Sequence, residues 1–192
     1  MKYEGSPALL LRQLAEKSRE IAELRATKQD LTNAWSGVGF SLCDQTVVAP
    51  MGEVVEIIRL PHYTLVPAVK PWMLGVANVR GKLLPIVDTE GFFGNKLVGH
   101  KSNYRVLIVE TPHIYVGLAV SKVFGLQHFD RATLFPVQNP EELPFGQFVD
   151  CFSAGEESNW YRLSPSKLVA DSAFSDASIV NRVLDNKHGE VA

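Results

Sequence analysis

The side chains that carry acid–base, nucleophilic or metal chemistry are present in this chain but are spaced apart. Five histidines stand at positions 62, 100, 113, 128 and 188, and no pair has the separation that puts two ligands on one helix face. Cys43 and Cys151 are far apart, and neither belongs to a Cys-x-x-Cys pair. They read as buried free thiols within strand-like sequence, with a disulfide as the alternative. Asp88 and Glu90 form a carboxylate pair, a spacing common on ordinary surfaces. No phosphate-binding glycine loop and no Gly-x-Ser-x-Gly elbow is present. The expectation is a protein with no catalytic residues, no cofactor and no metal.

The chemistry that remains is recognition. In GVANVRGKLLPIVD, residues 75–88, an apolar run is interrupted by Asn78, Arg80, Gly81 and Lys82. Gly81 can take the positive φ that a tight hairpin turn needs, and the Asn78 side chain can bond to the turn backbone. The stretch therefore reads as strand, turn, strand, with its polar residues at the tip. Arg80 is then either a solvated turn residue or a planar, permanently charged donor suited to a partner's carboxylate.

The elements that hold this tip are mainly strands. Val38, Phe40 and Leu42 alternate with smaller or polar residues, and short runs rich in Val, Ile, Phe and Tyr follow at 45–50, 53–58, 104–110, 114–120, 123–129, 148–153 and 159–163. No helical patterns alternate with them, so a parallel α/β sheet is disfavoured. A helix is expected over 7–33, where Leu10, Leu14, Ile21, Leu24 and Leu31 form an apolar seam. Lys17 and Lys28 interrupt that seam, against a self-pairing coiled coil; the helix reads as docking on its own domain, or as a partner-binding arm. Residues 71–75 offer one helical turn, and 164–170 offer a second helix with Ser164 as cap and Pro165 at its first position. The tail beyond Asp171 is expected to fray, with Ile179, Val180, Val183 and Leu184 as a weak helical face.

Composition fits a globular chain: 192 residues, 46% hydrophobic, 21% charged. At this length roughly 70% of the unfolded surface can be buried without staples. The net charge of −2 argues against a broad nucleic-acid footprint. The first residues lack the pattern of a secretion signal, and no window reaches the ~18 apolar residues of a membrane span, so a soluble cytoplasmic protein is expected.

The stretch 75–88 resembles the signature of CheW-like domains, the coupling proteins of bacterial chemosensory arrays, at Gly75, Val76, Asn78, Arg80, Gly81, Pro85 and Asp88. EVVEII resembles the family's Val-x-Glu strand at Val54, Glu56 and Ile57, and IYVGLAVSKVFGLQHF its later strand pair at Gly117, Leu118, Val120 and Val123. Two departures stand out: Ser121-Lys122 follows Val120 where the family usually carries Asp, and TEGFFG follows Asp88 in place of Leu-Arg. With the N-terminal extension, TEGFFG looks like the variant serving type IV pilus twitching systems.

The resemblance implies a mainly β fold: two small five-stranded SH3-like barrels packed together over 37–170, after a helical extension at 1–36 and before short C-terminal helices and a tail at 171–192. It implies a non-catalytic adaptor, bridging the cytoplasmic tip of a methyl-accepting chemoreceptor and the regulatory domain of a CheA-type histidine kinase, itself a two-barrel domain. Val54, Glu56, Gly75, Asn78, Arg80, Gly81 and Val120 are the implied partner-binding residues. For Val54 and Val120 core packing is the stronger reading, and Gly75 is open to a purely backbone role. The competing class is a small-barrel nucleic-acid binder, which would want basic strands with interleaved aromatics; the longest basic tract, RGK at 80–82, is short.

Overall fold

A computed structural model describes residues 34–155 and 158–177. The helix expected over 7–33 and the weak helical face expected at 179–184 lie outside the described residues. The chain forms β1 (Ala34–Leu42), β2 (Gln45–Pro50), β3 (Glu56–Arg59), β4 (Met73–Val79), β5 (Lys82–Asp88) and a short helix α1 (Thr89–Phe92). It continues through β6 (Arg105–Glu110), β7 (Tyr115–Val120), β8 (Val123–Asp130), β9 (Leu134–Pro136), β10 (Val149–Ala154) and β11 (Asn159–Leu163), and ends in α2 (Pro165–Ala170) and α3 (Ser172–Ser175).

The strands make a six-stranded sheet, β8-β1-β2-β11-β10-β9, and a five-stranded sheet, β3-β6-β7-β5-β4. All pairings are antiparallel except β2 with β11 and β5 with β7. The larger core fills the space between the sheets, with Phe40, Val47 and Leu163 from the first meeting Leu107, Leu118 and Val120 from the second. A smaller core of Ala77, Leu84, Ile86, Val106, Ile108 and Ala119 lies on the other face of the five-stranded sheet. Strands β6 and β7 are thus buried on both faces, which is why RVLIVE and YVGLAV read as continuous apolar runs rather than alternating ones.

Neither sheet closes through its ladder among the described residues, so the two five-stranded barrels implied by the resemblance appear as a six-stranded and a five-stranded sheet with free ends. The five-stranded sheet comes nearest to closure. An isolated bridge joins Thr64, beyond β3, to Val76 in β4, with both N–H···O distances at 2.9 Å. Pro61, Pro67 and Pro71 stand along that connection and cannot donate to a ladder, so the pairing does not extend.

Three expectations change. Residues 73–75 are strand rather than helix, because Met73 and Gly75 pair with β5 across a bulge, and only a turn at 71–72 precedes them. β1 starts at Ala34, across the expected boundary at 36/37, and is held by pairing with β8 and by Trp35 stacked on Phe129 at 4.8 Å. Residues 171–177 are packed rather than frayed: buried Phe174 stacks on Trp72 at 5.7 Å, and the Lys70 N–H donates to the Ala177 carbonyl at 2.8 Å. The helix at 165–170 forms as its cap and proline require, with the Ser164 hydroxyl accepting from the Lys167 N–H. Both cysteines are free thiols, Cys43 buried and Cys151 half-buried.

Candidate functional site

The turn between β4 and β5 consists of Arg80 and Gly81, with φ +51° and +80°. Two central residues at positive φ make the primed hairpin turn whose twist matches the flanking strands. Glycine takes this conformation freely; for arginine it costs on the order of 1 kcal/mol. The Asn78 side-chain oxygen accepts the Gly81 N–H at 2.9 Å and fastens the turn from below.

The Arg80 guanidinium does not simply extend into water. Its Nη2 donates to Glu56 Oε1 at 2.7 Å. Glu56 opens β3 at one edge of the five-stranded sheet, whereas the hairpin ends the other edge, so the ion pair joins the two. Its side chains are 77% and 31% exposed, so the pair contributes little to stability but fixes where the charges sit. A second pair, Lys82 Nζ to Glu110 at 3.1 Å, holds the adjoining residue, and Lys82 also lies over the Tyr115 ring. Exposed apolar side chains adjoin the charges in sequence: Val55 and Ile57 flank Glu56, and Leu83 stands opposite Asn78 in the ladder. A preset donor fork, a paired carboxylate and exposed Leu and Ile suit protein recognition.

The seven residues implied as partner-binding do not form one patch. Glu56, Asn78, Arg80 and Gly81 gather at the hairpin tip. Val54 is half-buried against the larger core and Val120 is fully buried within it. Gly75 is buried at φ +147°, where a Cβ would stand 2.3 Å from the Thr64 carbonyl oxygen. Its place in the signature has a backbone cause.

Two carboxylates with structural work were not singled out for it from sequence. Glu53 Oε2 accepts from the Ser164 hydroxyl at 2.9 Å, the Ser166 N–H at 2.9 Å and the Ser166 hydroxyl at 2.7 Å. It ties the β2–β3 link to the start of α2. The signal was the Ser-Pro-Ser at 164–166, a helix start rich in donors, but its acceptor lies more than a hundred residues away. Glu53→Ala is expected to cost about 2–3 kcal/mol in urea unfolding, because three donors lose a charged acceptor at a half-buried position. A loss below 0.5 kcal/mol would mean that water replaces the carboxylate.

Glu90 is the other. It is buried, and its Oε2 accepts the Cys43 N–H at 2.8 Å, holding the Cys43-Asp44 turn between β1 and β2, again with both residues at positive φ. Burial raises the Glu90 carboxyl above its ordinary value, with the Asp88 and Asp44 charges adding to the effect and the Cys43 N–H opposing it. Burial likewise raises Asp88, against the Gly91 and Glu90 N–H groups that its capping oxygens accept, and pushes the Cys43 thiol up to about 11. A raised carboxyl binds its proton more tightly folded than unfolded. Its stabilisation is therefore complete below the ordinary values of 3.8 and 4.5 and is lost as pH rises through the higher folded values. Glu90→Gln keeps an acceptor for Cys43 but removes the charge. Its stability relative to the unsubstituted protein should rise between pH 4 and pH 7; a difference that stays flat in urea titrations at the two pH values would contradict this.

A cavity of about 790 Å³ lies beside this turn, lined by Asp44, Ile57, Glu90, Arg105, Lys122 and Phe124 among others. Among the described residues no three His, Cys, Asp or Glu side chains converge as a metal ion would need. No helix among them is long and apolar enough to cross a membrane.

The sequence profile described as "CheW-like domain" matches residues 36–173. The chain is 38% identical to protein PilI of Pseudomonas aeruginosa over 174 residues, 91% of this chain and 97% of that protein. It is 26% identical to the chemotaxis protein CheW of Helicobacter pylori over 133 residues, 69% of this chain and 79% of that protein. The crystal structure of the scaffolding protein TtCheW from Thermoanaerobacter tengcongensis superposes with a TM-score of 0.60 over 72% of this chain and 94% of that one, at 21% identity, a likeness of fold. With a profile match spanning both sheets and a relative matched along nearly its whole length, this chain belongs to the CheW-like domain family.

Proposed function

We propose that the protein is a non-catalytic adaptor that couples methyl-accepting chemoreceptors to a CheA-type histidine kinase, in a chemosensory system controlling type IV pilus twitching. The extent of the similarity to PilI and the scaffolding name of the TtCheW relative support this reading. Its work is done at the cytoplasmic tip of the receptor, on which it presents a rigid surface rather than a cleft. The kinase's regulatory domain is the other partner; the resemblance implies that it is built of the same pair of small barrels, so the contact is between like folds.

The observation that carries this reading is the Arg80–Glu56 pair at 2.7 Å, set at a strained, fastened turn beside exposed Leu83 and Ile57. A strained residue with its charge pre-oriented is a device for binding, since it adds little to folding. The test is a pull-down of purified full chain with the kinase regulatory domain and with a receptor-tip fragment, each separately. Binding of both supports coupling; binding of neither removes it.

A further inference from the structure

The six-stranded sheet carries a row of aromatic rings at its β9 end. Tyr161 on β11 pairs with Phe152 on β10, and Phe152 pairs with Phe135 on β9, the last strand of the sheet. Cross-strand partners share a face, so the three rings stand side by side, with centroids 6.1 and 5.8 Å apart and planes inclined by 43° and 41°. Tyr161 packs against the larger core, Phe152 is half-buried and Phe135 is 48% exposed, so the row runs from the core to the sheet edge. These rings form one wall of a cavity of about 440 Å³, a volume usual for a small-ligand site. The connection from β9 forms the opposite wall. Its tight turn Pro140–Glu142 follows Asn139, whose side-chain N–H donates to Glu142 Oε1 at 2.8 Å and so fixes the carboxylate at the cavity. Gln138 and Asn159 add carboxamide oxygens to the lining.

We propose that this cavity binds an arginine side chain presented by a partner protein. Elsewhere in the fold, half-buried rings are met by cations of the chain itself: Lys82 over Tyr115 at 5.2 Å, Lys122 over Phe124 at 4.7 Å and Arg162 over Trp35 at 5.6 Å. Among the described residues lining this cavity none is cationic, whereas Glu142 contributes a negative charge. Aromatic faces and a carboxylate both attract a cation, and the apolar wall takes the stem that carries it. Arginine fits better than lysine. Its planar guanidinium can lie on a ring while its N–H groups reach Glu142 and the carboxamide oxygens together; an ammonium offers no flat face and holds its water more strongly. The cavity belongs to the six-stranded sheet, whereas the Arg80 hairpin belongs to the five-stranded one, and this inference does not depend on the coupling role.

The test titrates N-acetyl-arginine amide into the isotopically labelled full chain and follows backbone amide resonances. N-acetyl-lysine amide and N-acetyl-leucine amide serve as comparison probes. The arginine probe is expected to shift residues 135–143, 152 and 159–161 and to bind more tightly there than either comparison. Glu142→Gln, an exposed and nearly isosteric change, is expected to weaken the arginine probe by about tenfold, and Phe135→Ala by roughly threefold. Equal binding of the lysine probe would show that any cation suffices, and equal binding of the leucine probe would make the cavity an apolar groove; either result overturns the proposal. So would shifts confined to other parts of the fold, no shifts at all, or an affinity that Glu142→Gln leaves unchanged.

Discussion

Gly75→Ala is expected to destabilise the protein by about 3–5 kcal/mol, a large part of the 5–15 kcal/mol typical of a folded domain. Two effects add. The backbone sits at φ +147°, where an L side chain is strained by roughly 1–3 kcal/mol. The new Cβ would also stand 2.3 Å from the Thr64 carbonyl oxygen, and that oxygen is held by its bond to the Val76 N–H. Relief requires moving the 61–72 connection away, which breaks the reciprocal Thr64–Val76 bonds at about 1 kcal/mol each. Gly81→Ala is the control. It shares positive φ but meets nothing within 4 Å, so only about 1 kcal/mol is expected. Urea unfolding of the two variants side by side decides the matter: equal losses would show that close approach is not what requires glycine at position 75.

Arg80→Ala should leave folding almost untouched and weaken partner binding. The ion pair it removes is largely solvated, so unfolding should change by less than about 1 kcal/mol. Arg80→Asn separates the roles more sharply. Asparagine tolerates the turn conformation that arginine holds under strain, so this variant should be more stable than Arg80→Ala by about 0.5–1 kcal/mol. Yet it lacks the cationic fork. Affinity for the kinase regulatory domain or the receptor-tip fragment should fall for both variants by roughly 30-fold, the equivalent of about 2 kcal/mol at a desolvated contact. Arg80→Lys should lose most of the same affinity if the partner's carboxylate is held by both arms of the fork. Titration calorimetry with each fragment measures the loss. Unchanged affinity of Arg80→Ala for both would leave Arg80 as a turn residue paired with Glu56 and nothing more.

Much of the fold was readable because its signals are local. QTVVAP coincides with β2, since a short β-branched run between turn residues has few alternatives. The turn at Gly81 and the cap at Ser164 were legible for the same reason, each resting on residues within four positions of one another. Residues 71–75 misled because Pro71 at a first helical position is also a local signal, and it lost to the β4–β5 pairing. The short β9 carried too few residues to be seen at all, and it exists as the outer partner of β10.

The amino-acid sequence by itself determined the class of fold, the hairpin signature and the likeness to CheW-like domains, because alternation, turn residues and motif order depend on near neighbours along the chain. Tertiary structure alone decided which of the signature residues share a surface. Arg80 meets Glu56 across 24 positions only because the five-stranded sheet brings its opposite edges together. Val120 and Gly75 carry the same family pattern, but they are fixed by the larger core and by a carbonyl oxygen at residue 64. Glu53 and Glu90 acquire their roles from donors 111 and 47 positions away. Such contacts leave no local trace, because a carboxylate on a strand end reads the same whether water or a distant helix satisfies it.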